Sequence, residues 1–269
     1  LRGLQQASCL KNVQRKLGCL RTSLGSLSEA TDVFDPQRLE GIIGQLLAQV
    51  PHTRCVGRDH VQQVLTAVDG SVVKTLASLA EAAYLRDKNG AEHCGWRFHT
   101  HFEIDRSVPV RMEVTSALNS GKAEEKQRLR GTLQADRCYV LDRWYAEFSL
   151  WNKICAAGSS YVCRIRDNSN LSVCLEERPL SDTARAAGVV GDVVVELGVH
   201  SPPTARPNHP VRVVLIQTTP HQRTGGRKGG TAGPPSDGLL RIATNLLDTY
   251  VGNRAGARIL AGQIRRGHA

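Results

Sequence analysis

Between Arg137 and Trp151 the chain reads RCYVLDRWYAEFSLW. An apolar run delivers Asp142 beside Arg143 and turns at once into an aromatic helix pattern, YAEFSLWNKICAAG, after which SYVCRIR reads as a further strand. No other stretch constrains the fold so strongly. A strand, a helix and a strand in close succession describe a sheet with helices on its faces.

The same texture begins earlier. QVLTAVDGSVV is a β-rich run that reaches Asp69 and then Gly70, and Ala77, Leu79, Ala80 and Ala83 predict a helix after it. WRFHTHFEI and VPVRMEVTSA are two more strands, and SGKAEEKQRLRGTLQA is a helix leading to the strand that ends on Asp142. The expected core is therefore α/β, a mixed sheet with flanking helices.

Around that core the pattern changes twice. The first part, 1–60, reads as a helical module: FDPQRLEGIIGQLLAQV offers Asp35 as N-cap and Pro36 at the first helical position. Leu39, Ile42, Ile43, Leu46, Leu47 and Val50 follow at helix spacing. The basic segment before it carries Lys11, Arg15, Lys16 and Arg21. The core's first part spans 61–168, a β-rich insertion with a glycine-rich loop spans 169–236, and 237–269 returns to the core as a truncated or altered C-terminal segment. VVGDVVVELGV and PVRVVLIQTT supply the insertion's strands. In the loop, GGRKGG lacks the Gly-x4-Gly-Lys-Ser/Thr order of a phosphate-binding loop and is set aside.

Charge narrows the class of partner. The 269 residues carry a formal net charge of +10, which favours a polyanion such as nucleic acid. No run approaches the ~18 apolar residues of a membrane span, and the first residues lack a signal-peptide pattern, so the expected address is cytoplasmic. The 8 cysteines include no CxxC pair and several lie in apolar runs, as reduced cysteines in a core do. His93, Cys94, His99 and His101 cluster in EHCGWRFHTH, but His99 and His101 fall on one face of a strand and no second ligand pair exists, so zinc is not expected.

Asp69 and Asp142 carry the chemistry. Neighbouring strands ending this way bring two carboxylates to one edge of a sheet, where they repel unless a cation lies between them. Mg²⁺ or Mn²⁺ suits such oxygen donors, and two ions ~3.5–4 Å apart support in-line phosphoryl transfer. The bland alternative is an Asp-Gly turn at Asp69 and a helix N-cap at Asp142.

Taken together, AVDGS, VTSA, YVLDRWY, AAGSSYVCRIR and RIATNLLD resemble the DDE transposases of bacterial insertion sequences, and most nearly the IS-four family, which has an RNase H-like core. The likeness runs from LGSLSEA to ATNLLD, and its most specific part is Asp-Arg-x-Tyr with the downstream Tyr-Val-x-Arg strand; Trp144 stands where the family usually has glycine. The resemblance implies that Asp69 and Asp142 are the first two acids of a metal triad. It also implies that Arg164 lies near DNA phosphate, with Arg143 beside Asp142 ready for phosphate, while the charge of the helical module marks Lys11, Arg15 and Lys16 as further DNA-binding residues. The implied partners are double-stranded DNA, as transposon ends and target, and a second copy of the chain as a homodimer on DNA.

The family's third acid is a glutamate in Tyr-x2-Arg-x3-Glu-x6-Lys soon after the TNLLD strand. Here TYVGNRAGARILAGQIRRGHA follows Asp248 and holds no Asp or Glu, and Glu176, Glu177 and Glu196 do not fit the pattern. The expected function is metal-dependent DNA transposition, incomplete as the chain stands. The alternatives are a non-catalytic DNA-binding remnant and an RNase H-like nuclease.

Overall fold

The computed structural model describes residues 2–18, 20–33, 38–51, 61–75, 83–86, 92–116, 121–166, 173–199, 201–202, 205–219 and 237–247. By contacts the chain divides into two units, 1–51 and 52–269.

The first unit is helical: α1 (Arg2–Ser8), α2 (Lys11–Leu17), α3 (Leu24–Val33) and α4 (Arg38–Gln49). Gly18, at φ 63°, ends α2 in the left-handed conformation that glycine adopts without strain. The predicted cap residues Asp35 and Pro36 lie outside the described residues. The apolar stripe of α4 is present but faces solvent, with Ile42, Ile43 and Leu46 all more than half exposed.

The second unit is built on a sheet of ten strands. In chain order these are β1 (Val64–Thr75), β2 (Ala83–Arg86), β3 (Glu92–Glu103), β4 (Val108–Ser116), β5 (Arg137–Leu141), β6 (Ser160–Ile165), β7 (Val173–Glu177), β8 (Val189–Glu196), β9 (Val211–Gln217) and β10 (Leu239–Thr244). Its helices are α5 (Gly121–Thr132), α6 (Phe148–Ala156) and α7 (Asp182–Ala186).

Within the sheet, β4-β3-β1-β5-β6 is the strand order of an RNase H-like core. β3 runs antiparallel to β1 and β4, while β5 is parallel to β1 and β6 is parallel to β5. The helices α5 and α6 make the crossovers that parallel neighbours require. Of the helix predicted from Ala77, Leu79, Ala80 and Ala83, the first three lie outside the described residues and Ala83 instead opens β2, which pairs with β3. The strands of the β-rich insertion, β7, β8 and β9, extend the same sheet, joined to β6 through β10.

The main core lies between the sheet and its helices. Tyr139, Leu141, Tyr161 and Cys163 from β5 and β6 meet Leu129 of α5 and Leu150, Trp151 and Ile154 of α6. Trp151 stacks on Tyr161 at 4.7 Å between ring centroids, 17° from parallel. Lys126 and Arg130 of α5 both pair with Glu147, the N-cap of α6, and so fasten one helix to the start of the next. On the far half of the sheet, Arg212 holds Asp192 in a buried bidentate pair at 2.8 and 2.5 Å.

Candidate functional site

The strand carrying Asp69 does not end there. β1 runs on to Thr75, and Asp69 and Gly70 are paired with Thr100 and His99 of β3, so the Asp-Gly pair is strand and not turn. On the other edge of β1 the pairing with β5 stops at Ala67↔Val140. Two residues further along each strand stand Asp69 and Asp142. The chain after β5 leaves the sheet here in a single 3₁₀ turn, Arg143–Tyr145, which Asp142 caps by accepting the Trp144 N–H at 2.8 Å. The result is a fork: β1 continues, β5 turns away, and the two aspartates flank the opening.

Alternation along the strands fixes which way they face. Asp69 shares a face with Ala67, Asp142 shares one with Val140, and Ala67 and Val140 are paired neighbours. Both carboxylates therefore leave the same side of the sheet. Partial burial pushes the Asp142 carboxyl above its ordinary range, and the Asp69 charge adds to that push against the Trp144 N–H and Arg143. The Ser71 hydroxyl donates to Asp69 at 3.3 Å.

Arg164 extends the row. The β5–β6 register runs to Leu141↔Cys163, which puts Asp142 and Arg164 next in line. The Cys163 thiol donates to the Asp142 carbonyl at 3.3 Å and ties the two strand ends together. Arg164 is half-buried and opposite Ile242 of β10, whereas Arg143 is exposed at the head of the 3₁₀ turn. Trp144, where the resemblance expects a glycine, packs against the core under the Lys126 ammonium, 5.7 Å from its ring centroid. The turn accommodates the larger side chain without losing the cap. Lys11, Arg15 and Lys16 are exposed on α2, in the helical unit.

The other face of the fork is a cavity beneath α5, lined among others by Val68, His99, His101, Glu125, Leu129 and Tyr145. Glu125 and Leu129 sit four residues apart on α5, both buried, on the helix face turned to the sheet. Glu125 is paired with Arg97 of β3. Tyr145 is buried, and burial raises its hydroxyl pKa with added push from Asp69 and Asp142, against Arg97. Its ring thus closes the fork from the core side.

His99 and His101 do share one face of β3, and both are buried in hydrogen bonds to hydroxyls, Thr115 at 2.9 Å and Thr132 at 3.3 Å. Among the described residues, no group of three His, Cys, Asp or Glu side chains gathers closely enough to hold a metal ion. Asp69 and Asp142 still fit a hard divalent cation by donor chemistry. Mg²⁺ is commonly held by only one or two carboxylates, its remaining positions taken by water and substrate phosphate. Glu176, Glu177 and Glu196 are exposed on β7 and β8, at the far end of the sheet. The segment expected to carry a third acid, from Asp248 onward, lies outside the described residues. Sequence reading placed Tyr145 in the Asp-Arg-x-Tyr motif but did not single out Glu125. The glycine after Asp69 was the available signal for Glu125.

Comparison with known proteins yields no matching family model and no matching curated protein. Among solved structures, the chain is similar to a piggyBac transposase in a synaptic complex with hairpin DNA, at a TM-score of 0.41 and 11% identity. The match covers 93% of this chain and 46% of that one, so the chain spans less than half of that protein's length. No helix among the described residues is long and apolar enough to cross a membrane.

Proposed function

We propose that the chain is a DDE transposase-like protein of the IS-four type that acts on double-stranded DNA by metal-dependent phosphoryl transfer. One observation carries this reading: Asp69, Asp142 and Arg164 fall in a row across three adjacent parallel strands, at the point where an RNase H-like sheet forks. Asp69 and Asp142 would hold Mg²⁺ or Mn²⁺, which supplies activation of the attacking oxygen and charge stabilisation at phosphorus. Arg164 and Arg143 lie beside the carboxylates and would bind the flanking phosphates, so a negatively charged strand is drawn to an edge its own acids would otherwise repel. Lys11, Arg15 and Lys16 would add backbone contacts that position the duplex without reading bases. A homodimer would bring two such sites to two DNA ends.

The test is cleavage of labelled duplexes carrying transposon ends by purified protein with Mg²⁺ or Mn²⁺. Cleavage is expected to disappear in Asp142→Ala, with DNA binding retained. Cleavage that survives Asp142→Ala would remove Asp142 from the site. A second reading is DNA binding without chemistry, supported by the net charge of +10. Salt-sensitive binding with no cleavage under any divalent ion would select it.

A further inference from the structure

The face of the sheet that carries Asp69 continues outward over β3 and β4 as an apolar, aromatic surface. Alternation along β3 places Trp96, Phe98 and Thr100 on that face, since Thr100 pairs with Asp69, Phe98 with Ser71 and Trp96 with Val73. The next strand adds Met112 opposite Thr100 and Val114 opposite Phe98. Arg97, Glu103, Arg111 and Glu113, from the same two strands, fall on the other face. Among the described side chains of β1, β3 and β4, Asp69 is the one charged group on this side.

The surface is open to solvent. Val73, Met112 and Val114 are 48%, 54% and 52% exposed. Phe98 is half-buried between two exposed neighbours, Ser71 and Val114. Contiguous exposed apolar residues of this kind mark a binding surface.

Its place decides what fits it. The surface starts at Asp69 and is continuous with the row Asp69, Asp142 and Arg164. Phosphates need cations, and those stand at Arg143 and Arg164, on the far side of the opening. The aromatic side offers a phosphate nothing, but ring faces take up bases of any sequence. Trp96 and Phe98 stand two positions apart on β3, about 7 Å along the strand. That is twice the ~3.4 Å rise of a stacked strand, the spacing at which one base lies between two rings. Bases inside an intact duplex are already stacked on each other, so the bases that fit are unpaired.

We propose that Trp96 and Phe98 form a stacking platform for unpaired bases of a DNA strand whose phosphates pass Asp69 and Asp142 towards Arg164. The inference rests on the reading of that row as a DNA site. The platform selects frayed ends and distorted duplexes, where base faces are available.

The probe is a single-stranded oligonucleotide carrying 2-aminopurine, whose fluorescence falls on stacking, beside the same sequence as a duplex. Parent protein is expected to bind the single strand and quench it. Phe98→Leu keeps apolar bulk without the ring face, and is expected to weaken single-strand binding about tenfold while duplex affinity holds. Phe98→Tyr is expected to restore it. Val114→Glu, at an exposed position, sets a negative charge on the platform and is expected to give the same selective loss in a folded protein. Single-strand binding unchanged in both Phe98→Leu and Val114→Glu overturns the proposal. If Val114→Glu instead splits a dimer or lowers thermal stability, with single-strand affinity intact, the face belongs to a second copy or to another segment of this chain. Arg164→Ala, measured on the duplex, separates the two readings. A loss there with no effect of the face variants leaves the DNA site standing and removes the platform. A parent that binds neither form of DNA at low salt removes both.

Discussion

At the scale of the residue, burial decides more than chemical type. His101 is a strand residue whose ring is enclosed under α5, edge-on to Tyr139 at 6.2 Å. Burial, then the positive charges of Arg111 and Arg137, hold its pKa down at about 4, with Glu113 opposing. In the unfolded chain it titrates near the ordinary histidine value of 6.5. Between those values the unfolded state takes up a proton that the folded state refuses, so stability falls as pH drops through the window and the loss is complete below about pH 4. On going from pH 7 to pH 5 this one group should cost about 2 kcal/mol. Urea unfolding of the parent and of His101→Gln at both pH values measures it. Equal losses in the two proteins would show that His101 is not the group responsible. Gly70 shows the reverse of legibility. Asp-Gly reads as a turn from sequence because glycine is poor in strands, yet pairing with β3 overrides that preference and the carboxylate of Glu125 requires the missing side chain.

At the scale of the element, the stretch that dominates the sequence also organises the core. The helix predicted after Asp142 was readable because its aromatic and aliphatic residues repeat at helical spacing, and Leu150, Trp151 and Ile154 are indeed fully buried. Trp151 lies between the stacked Tyr161 ring and the edge of Phe148, at 4.7 and 5.5 Å. Replacing it with alanine opens a cavity at the meeting point of α6 and β6 and should cost ~3–5 kcal/mol. Thermal unfolding should move down by roughly 10 °C. A shift of only a degree or two would mean that α6 is not anchored through this ring. What the sequence did not disclose was how far β1 continues. Periodicity marks an apolar run, but the length of a strand depends on its partner, and the β3 partners of β1 lie 19 to 37 residues downstream.

At the scale of the whole molecule, charge and connectivity act together. The net charge of +10 favours a polyanion, and phosphate contacts release counterions, so DNA affinity should fall steeply as salt rises. Arg164→Ala should weaken binding to unrelated sequences alike and lower the slope of log affinity against log salt by about one. Binding that is indifferent to salt would exclude this surface as a DNA contact. Sequence reading expected the strands of Asp69 and Asp142 to be neighbours from their shared ending on an aspartate, and β1 and β5 do pair although 73 residues separate Val64 from Arg137. The place of β10 was not legible, because it bridges β6 and β9 across 76 residues in one direction, as Arg241 pairs with Ile165.

That bridging strand has a consequence for synthesis. The two halves of the sheet cannot join until β10, the last strand in chain order among the described residues, has left the ribosome. Until then β6 and β9 each present a bare edge of unpaired amides and carbonyls, the kind of edge that templates association with other chains. Closure must then insert one strand between two partners already made, a non-local step that loop-closure entropy makes slow. A nascent chain paused before Leu239 is a pair of half-sheets, and chaperone dependence should peak at that length and vanish once Thr244 is free.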